Sequence, residues 1–158
     1  MGYTHYFPRL AASTDIVSDA RKIIDASAVT ICGPAGQGQP ILNKEDGIRL
    51  NGFEAAGESY ETFHLRGTKA PPYPGMWTFC TTENRPYDVV VTAILIAAAV
   101  RSLDSTTGTV QSDGRWDSWA AGVDLFEQAV RPLTEDEKIA LDLDVEAMRP
   151  APAPPDVS

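Results

Sequence analysis

Three polar, aromatic segments carry the side chains of this sequence most able to do chemistry. Tyr3, His5 and Tyr6 open the chain. Thr81, Thr82, Arg85, Tyr87 and Asp88 precede a long apolar run, and Ser112, Asp113, Arg115 and Trp116 precede a second amphipathic stretch. Hydroxyls, arginines and rings placed before two helices are suited to a planar, anionic ligand. Backbone N–H groups and the helix dipole take the charge, and the rings stack on the plane. Tyr3, His5, Thr82, Arg85, Tyr87, Asp113, Arg115 and Trp116 are therefore the candidate ligand-binding residues. No catalytic residue, metal ligand or cofactor is assigned. The competing explanation is structural: Asn84, Asp88 and Asp113 cap helices while the rings fill the rim of the core.

Other motifs carry less. Gly33-Pro34-Ala35-Gly36-Gln37-Gly38 lacks the Gly-Lys-Ser/Thr ending of a phosphate loop and the spacing of a dinucleotide fingerprint, and reads as a flexible loop. Cys32, Cys80, His5 and His64 have no zinc-ligand spacing. Cys80 falls inside a strand pattern, where a buried, inert thiol is expected. There is no Gly-x-Ser-x-Gly elbow, so a hydrolase would have to use His5 or Asp113 as its base.

The elements that must position these groups follow from periodicity. Residues 89–100 are apolar at every position but Thr92 and contain no glycine or proline. Pro86 and Asp88 mark a helix start before them, so a helix over about 86–103 is predicted. A helix apolar on every face must be covered on every face. It is too short to span a bilayer, which takes roughly 20 residues, so it belongs at the centre of a soluble domain. Further helices are predicted over 15–27, with a cap from residues 13–15, and over 115–130, with Trp119, Val123, Phe126 and Val130 as its buried stripe. A last helix, opened by a capping box at Thr134 and Glu137, runs to about 148. Strands are predicted over 3–9, 29–32, 76–82 and 107–111, with a hairpin pairing 47–51 and 61–66. The expected fold is α+β: a mainly antiparallel sheet, one central apolar helix and about three further helices. Residues 1–149 form one domain, and 150–158, rich in proline and alanine, form a tail with little apolar surface.

Charge limits the partners. The 158 residues carry a net charge of −9. Eleven acids oppose four bases from Gln111 onward, against eleven and nine before it. That balance disfavours duplex nucleic acid and anionic membranes, where affinity comes from cations. It allows a small ligand, or a host protein docking on an acidic surface over 111–149. No basic, apolar leader is visible at Met1–His5, so a cytoplasmic location is expected.

The opening Met1-Gly2-Tyr3-Thr4-His5-Tyr6, the junction Phe79-Cys80-Thr81-Thr82 with Pro86-Tyr87-Asp88, and Ser112-Asp113-Gly114 with Trp116 resemble a group of uncharacterised proteins of tailed phages and of bacterial genomes, often actinobacterial. The resemblance covers most of residues 1–130. It implies a phage or prophage accessory protein working in the host cytoplasm, and it implies no activity. The junction in that group is more basic than Thr81-Thr82-Glu83-Asn84. The combined expectation is a protein that holds a nucleotide-like ligand or a host protein without turnover. An acidic interaction protein and a small hydrolase are the alternatives.

Overall fold

The apolar run at the centre of the chain decides the architecture. In a computed structural model, which describes residues 3–7, 10–73, 78–102 and 110–146, it forms helix α2, Asp88–Val100. Every residue from Val90 to Ala99 is buried. Three helices supply the cover: α1 (Thr14–Ala26), α3 (Ala120–Ala129) and α4 (Glu135–Val145). The approach of α3 is close because it presents Gly122 to Thr92, and any side chain there would collide with the threonine. Thr92 turns its hydroxyl back onto its own helix, donating to the carbonyls of Asp88 and Val89 at 3.0 and 3.1 Å, so the one polar group of the run is satisfied.

Local signals set the helix ends. Ser13 caps α1 by accepting from Ile16 N at 3.2 Å. The stripe Ile16, Val17, Ala20 and Ile23 then faces the core. Asp19, buried on the same helix, accepts from Arg101 Nε at 2.9 Å, which fixes α1 against the C-terminal end of α2. The capping box of α4 is formed: Glu137 N donates to Thr134 Oγ1 at 3.1 Å, and Thr134 N donates to Glu137 Oε1 at 2.9 Å. A single turn, Trp116–Trp119, leads into α3. Trp119 and Phe126 are buried as expected, but Val123 and Val130 are only half-buried. Gly122 and Leu125 complete the buried stripe instead.

The strands divide between two small antiparallel sheets, which makes the fold α+β. The first has the order β5-β1-β6, from Phe79–Thr81, Thr4–Tyr6 and Gln111–Ser112. The second has the order β2-β3-β4, from Ile41–Asn43, Gly47–Leu50 and Phe63–Leu65. The predicted pairing of the 47–51 and 61–66 segments is present, with Ile48 opposite Leu65 and Leu50 opposite Phe63. Residues 29–32 are not a strand: a single bridge joins Cys32 to Asn51. β2 was not expected, because Ile-Leu-Asn after Pro40 is too short a run to show a period. The ends of the predicted strands at 8–9, 76–77 and 107–109, the end of the last helix and the 150–158 tail lie outside the described residues.

Among the described residues, no helix is long and apolar enough to cross a membrane.

Candidate functional site at one edge of the first sheet

β5 and β6 flank β1, and each is antiparallel to it. They therefore run in the same direction, and both end beside the start of β1. The chain leaves β5 for α2 and leaves β6 for the turn before α3. The two polar helix entries thus meet at one sheet edge, around Tyr3, Thr4 and His5.

Strand alternation turns His5, Cys80 and Ser112 to the same face, toward α2. His5 is fully buried. Its Nε2 lies 2.7 Å from Asp88 Oδ1, and its Nδ1 lies 2.8 Å from Ser112 Oγ. A carboxylate only accepts, so Nε2 donates to Asp88. Gly114 N donates to Ser112 Oγ at 3.0 Å, and the same hydroxyl lies against the Tyr3 phenol. Thr82 Oγ1 donates to the same Asp88 oxygen at 2.6 Å. The result is a continuous relay, Ser112 to His5 to Asp88, braced by Thr82.

Rings close over the relay. Tyr3 and Trp119 stand edge-on to the imidazole, with centroids 5.0 and 5.1 Å away. Tyr3 lies against Gly114, where any side chain would meet the phenol. Burial, and next the Asp88 charge, push the Tyr3 phenol up to about 12, while its contact with Ser112 works in the opposite direction. Trp119 is fully buried, yet its indole Nε1 has no hydrogen-bond partner of good geometry among the described residues. The indole lies beside the Tyr3 phenol and, like Ser112, acts to lower it against the effect of burial.

Asp113 ties the edge from the other side. Its Oδ2 accepts from Thr4 N at 3.1 Å, its own N donates to Thr4 O at 2.9 Å, and its Oδ1 accepts from Tyr6 Oη at 3.4 Å. Thr82 N donates to Tyr3 O at 3.0 Å, and Tyr3 N donates to Glu83 Oε1 at 3.3 Å. Asp88 and Asp113 thus fasten the sheet edge, while Ser13 and Thr134 cap α1 and α4.

Of the expected binding residues, Tyr3, His5, Thr82 and Asp113 come together. Trp116 is half-buried beside Trp119, with ring centroids 6.2 Å apart, and Arg115 is exposed on the same turn. Arg85 and Tyr87 do not join them. Glu83 and Asn84 both take left-handed backbone (φ 52° and 56°), which reverses the chain before α2. Arg85 then leans over the Tyr60 ring, 5.9 Å from its centroid. Tyr87 is buried against Gly52, and its hydroxyl donates to Glu61 O at 2.5 Å. Consecutive residues at a helix start point about 100° apart, so Asp88 facing the sheet turns Tyr87 away from it. Burial, and next Cys80, push the Tyr87 phenol up.

The chemical capacity of the relay follows from this geometry. It can hold a proton at a defined place, but it is not set for nucleophilic attack. Ser112 is 2% exposed and lies under Tyr3. The N–H groups that could stabilise an oxyanion beside it, those of Asp113 and Gly114, already donate to Thr4 O and to Ser112 itself. Cys80 is buried and donates to Glu61 O at 3.6 Å. Burial, and next the Glu61 charge, push its thiol up, away from the thiolate. Among the described residues, no group of three or more His, Cys, Asp or Glu is placed to hold a metal ion.

No family model matches the chain, and no curated protein or solved structure is similar to it.

Proposed function

We propose that the protein binds a small, planar, nucleotide-like ligand without turnover at the edge where the two helix entries meet, as an accessory protein in a phage-infected bacterial cell. The observation that carries this reading is the orphaned Nε1 of Trp119. A buried N–H without an acceptor costs about 1–3 kcal/mol. A ligand that displaced the covering Tyr3 ring and offered a ring nitrogen or carbonyl there would recover that cost. Around it stand groups of the complementary kind. Tyr3 and Trp116 are half-buried rings, while the carboxylates of Glu83, Asp88 and Asp113 accept from exocyclic amines. Arg115 supplies a cation for an anionic end. The acid-rich edge favours the base over the phosphate as the part recognised most closely. The buried state of Ser112 supports binding over hydrolysis.

The test is a thermal-shift panel of the common nucleosides and their monophosphates. At least one should raise the melting temperature by several degrees, since ligand at 100-fold its Kd contributes about 2.7 kcal/mol. Trp119→Phe keeps a ring and removes the N–H, and should abolish the shift. A panel in which no compound moves the wild-type melting temperature would contradict the proposal.

A second reading has its own observation. α4 begins with Glu135, Asp136 and Glu137 and exposes Ile139 and Leu143, 59% and 71% accessible and one turn apart. An acidic helix with an exposed apolar pair fits a host-protein contact over residues 111–149.

A further inference from the structure

The outer face of the β2-β3-β4 sheet gathers basic side chains that make no ion pair among the described residues. β3 and β4 pair so that Arg49 stands directly opposite His64. Alternation puts Arg66, two residues after His64, on that same face. Ile48, Leu50, Phe63 and Leu65 are fully buried on the other face, so the register commits Arg49 and His64 outward. Both are only half-buried, yet Arg49 Nε is shielded from solvent and has no hydrogen-bond partner among the described residues. Neither Arg49 nor Arg66 makes an ion pair among the described residues. Arg66 donates only to the carbonyl of Ala70, at 3.2 Å.

An acid three residues from Arg49 is already engaged. Asp46, in the turn between β2 and β3, accepts from Lys69 and from Asn43, each at 3.1 Å. Burial, then Arg49 and Arg66, hold the His64 imidazole below its ordinary value, while a backbone group of Asp46 acts in the opposite sense. The charged groups around the imidazole are thus Arg49, Arg66 and Asp46 with its partner Lys69. In a chain of net charge −9, this is a local concentration of positive potential.

We propose that Arg49, His64 and Arg66 form a binding site for a phosphate-type oxyanion, either inorganic phosphate or the phosphate group of a nucleotide. The planar guanidinium fork of Arg49 matches two phosphate oxygens, and a bound oxygen would give its Nε the partner it lacks. The bound charge would also favour the protonated imidazole, so binding tightens as pH falls toward 6. This site is on a different sheet from the one proposed above and does not depend on it.

The chain has two histidines, which makes the test direct. The ring signals of His64 and His5 are followed by NMR during titration with inorganic phosphate, and separately with sodium chloride of matched ionic strength. Phosphate should shift the His64 signals saturably and raise its apparent pKa by about half a unit or more beyond chloride, with His5 unmoved. Arg49→Gln should weaken phosphate binding about tenfold or more. If that variant loses the wild-type His5 signals, Arg66→Gln serves in its place. Adenosine monophosphate separates the two sources: tighter binding than inorganic phosphate assigns the site to a nucleotide, and equal binding to the free anion. Equal responses to phosphate and chloride show screening alone and overturn the site, as does an unchanged His64. The indole signal of Trp119 reports the other site, so failure of one proposal is read separately from failure of the other.

Discussion

At the scale of residues, the relay through His5 is where this fold concentrates its polar energy. Asp88 accepts from both His5 and Thr82, so Asp88→Ala would leave two buried donors without an acceptor. The expected loss is about 3 kcal/mol, read as a lower denaturation midpoint in urea at unchanged m-value. Ser112→Ala removes only the end of the relay and should cost about 1–2 kcal/mol. Equal losses for the two would show that His5 does not organise the network. The individual groups were legible in sequence. Thr82 and Asp113 carry a hydroxyl and a carboxylate before predicted helices, and His5 lies on the first predicted strand. Asp88 and Ser112 stood in the same segments, but their pairing with His5 depends on the register of β1 between β5 and β6. No local signal carries that register. Arg85 and Tyr87 misled for a local reason: two left-handed residues, neither of them glycine, turn the chain between Thr82 and α2.

At the scale of elements, α2 was the most readable part of the chain, because burial on all faces leaves an unbroken apolar run. Ala97 and Ala98 pack with no exposed surface, so Ala97→Leu should overpack and cost about 1–3 kcal/mol by denaturant unfolding. No measurable loss would mean the helix has slack around it. The capping box of α4 was equally legible, since its two residues have a fixed spacing. The structure adds Arg131, whose guanidinium meets Glu137 at 2.8 Å through two nitrogens. That pairing, more than the Thr134 cap, holds the Glu137 carboxyl down to about 2. The sign follows. Glu137 contributes stability above its unfolded value, near 4.5, and loses it as pH falls toward 2. Glu137→Gln should therefore lower stability at pH 7 by about 1–2 kcal/mol, with much of the difference from wild type gone by pH 2. A difference independent of pH would place the contribution in the cap alone. Short strands such as β2 were unreadable because three residues are too few to show alternation, and their sheet is specified by partners far along the chain.

At the scale of the whole molecule, two small sheets and three helices surround one apolar helix among the described residues, and the polar chemistry is left at the sheet surfaces and edges. The α+β class was recoverable because alternating and helical periods are both present and hairpin spacing dominates. The division into two sheets was not, since it depends on which strands pair across long connections. His64 gives the molecule a second pH response, opposite in origin to that of Glu137. Its imidazole is held low in the folded state, so protonation favours the unfolded chain, and stability declines as pH falls below about 6.5. His64→Gln should flatten that part of the stability profile between pH 7 and 5, as followed by thermal melting. An unchanged slope would assign the decline to other groups.

The central claim is that the edge formed by Tyr3, Asp113, Trp116 and Trp119 receives a planar ligand whose acceptor engages the buried indole. The most direct measurement is the Nε1–H resonance of Trp119, assigned by comparison with Trp119→Phe, during titration with the nucleoside or monophosphate that most raises the melting temperature. The account predicts a saturable downfield shift of that indole proton and slowed exchange with solvent. A Trp119 resonance that stays in place while the compound binds would contradict it.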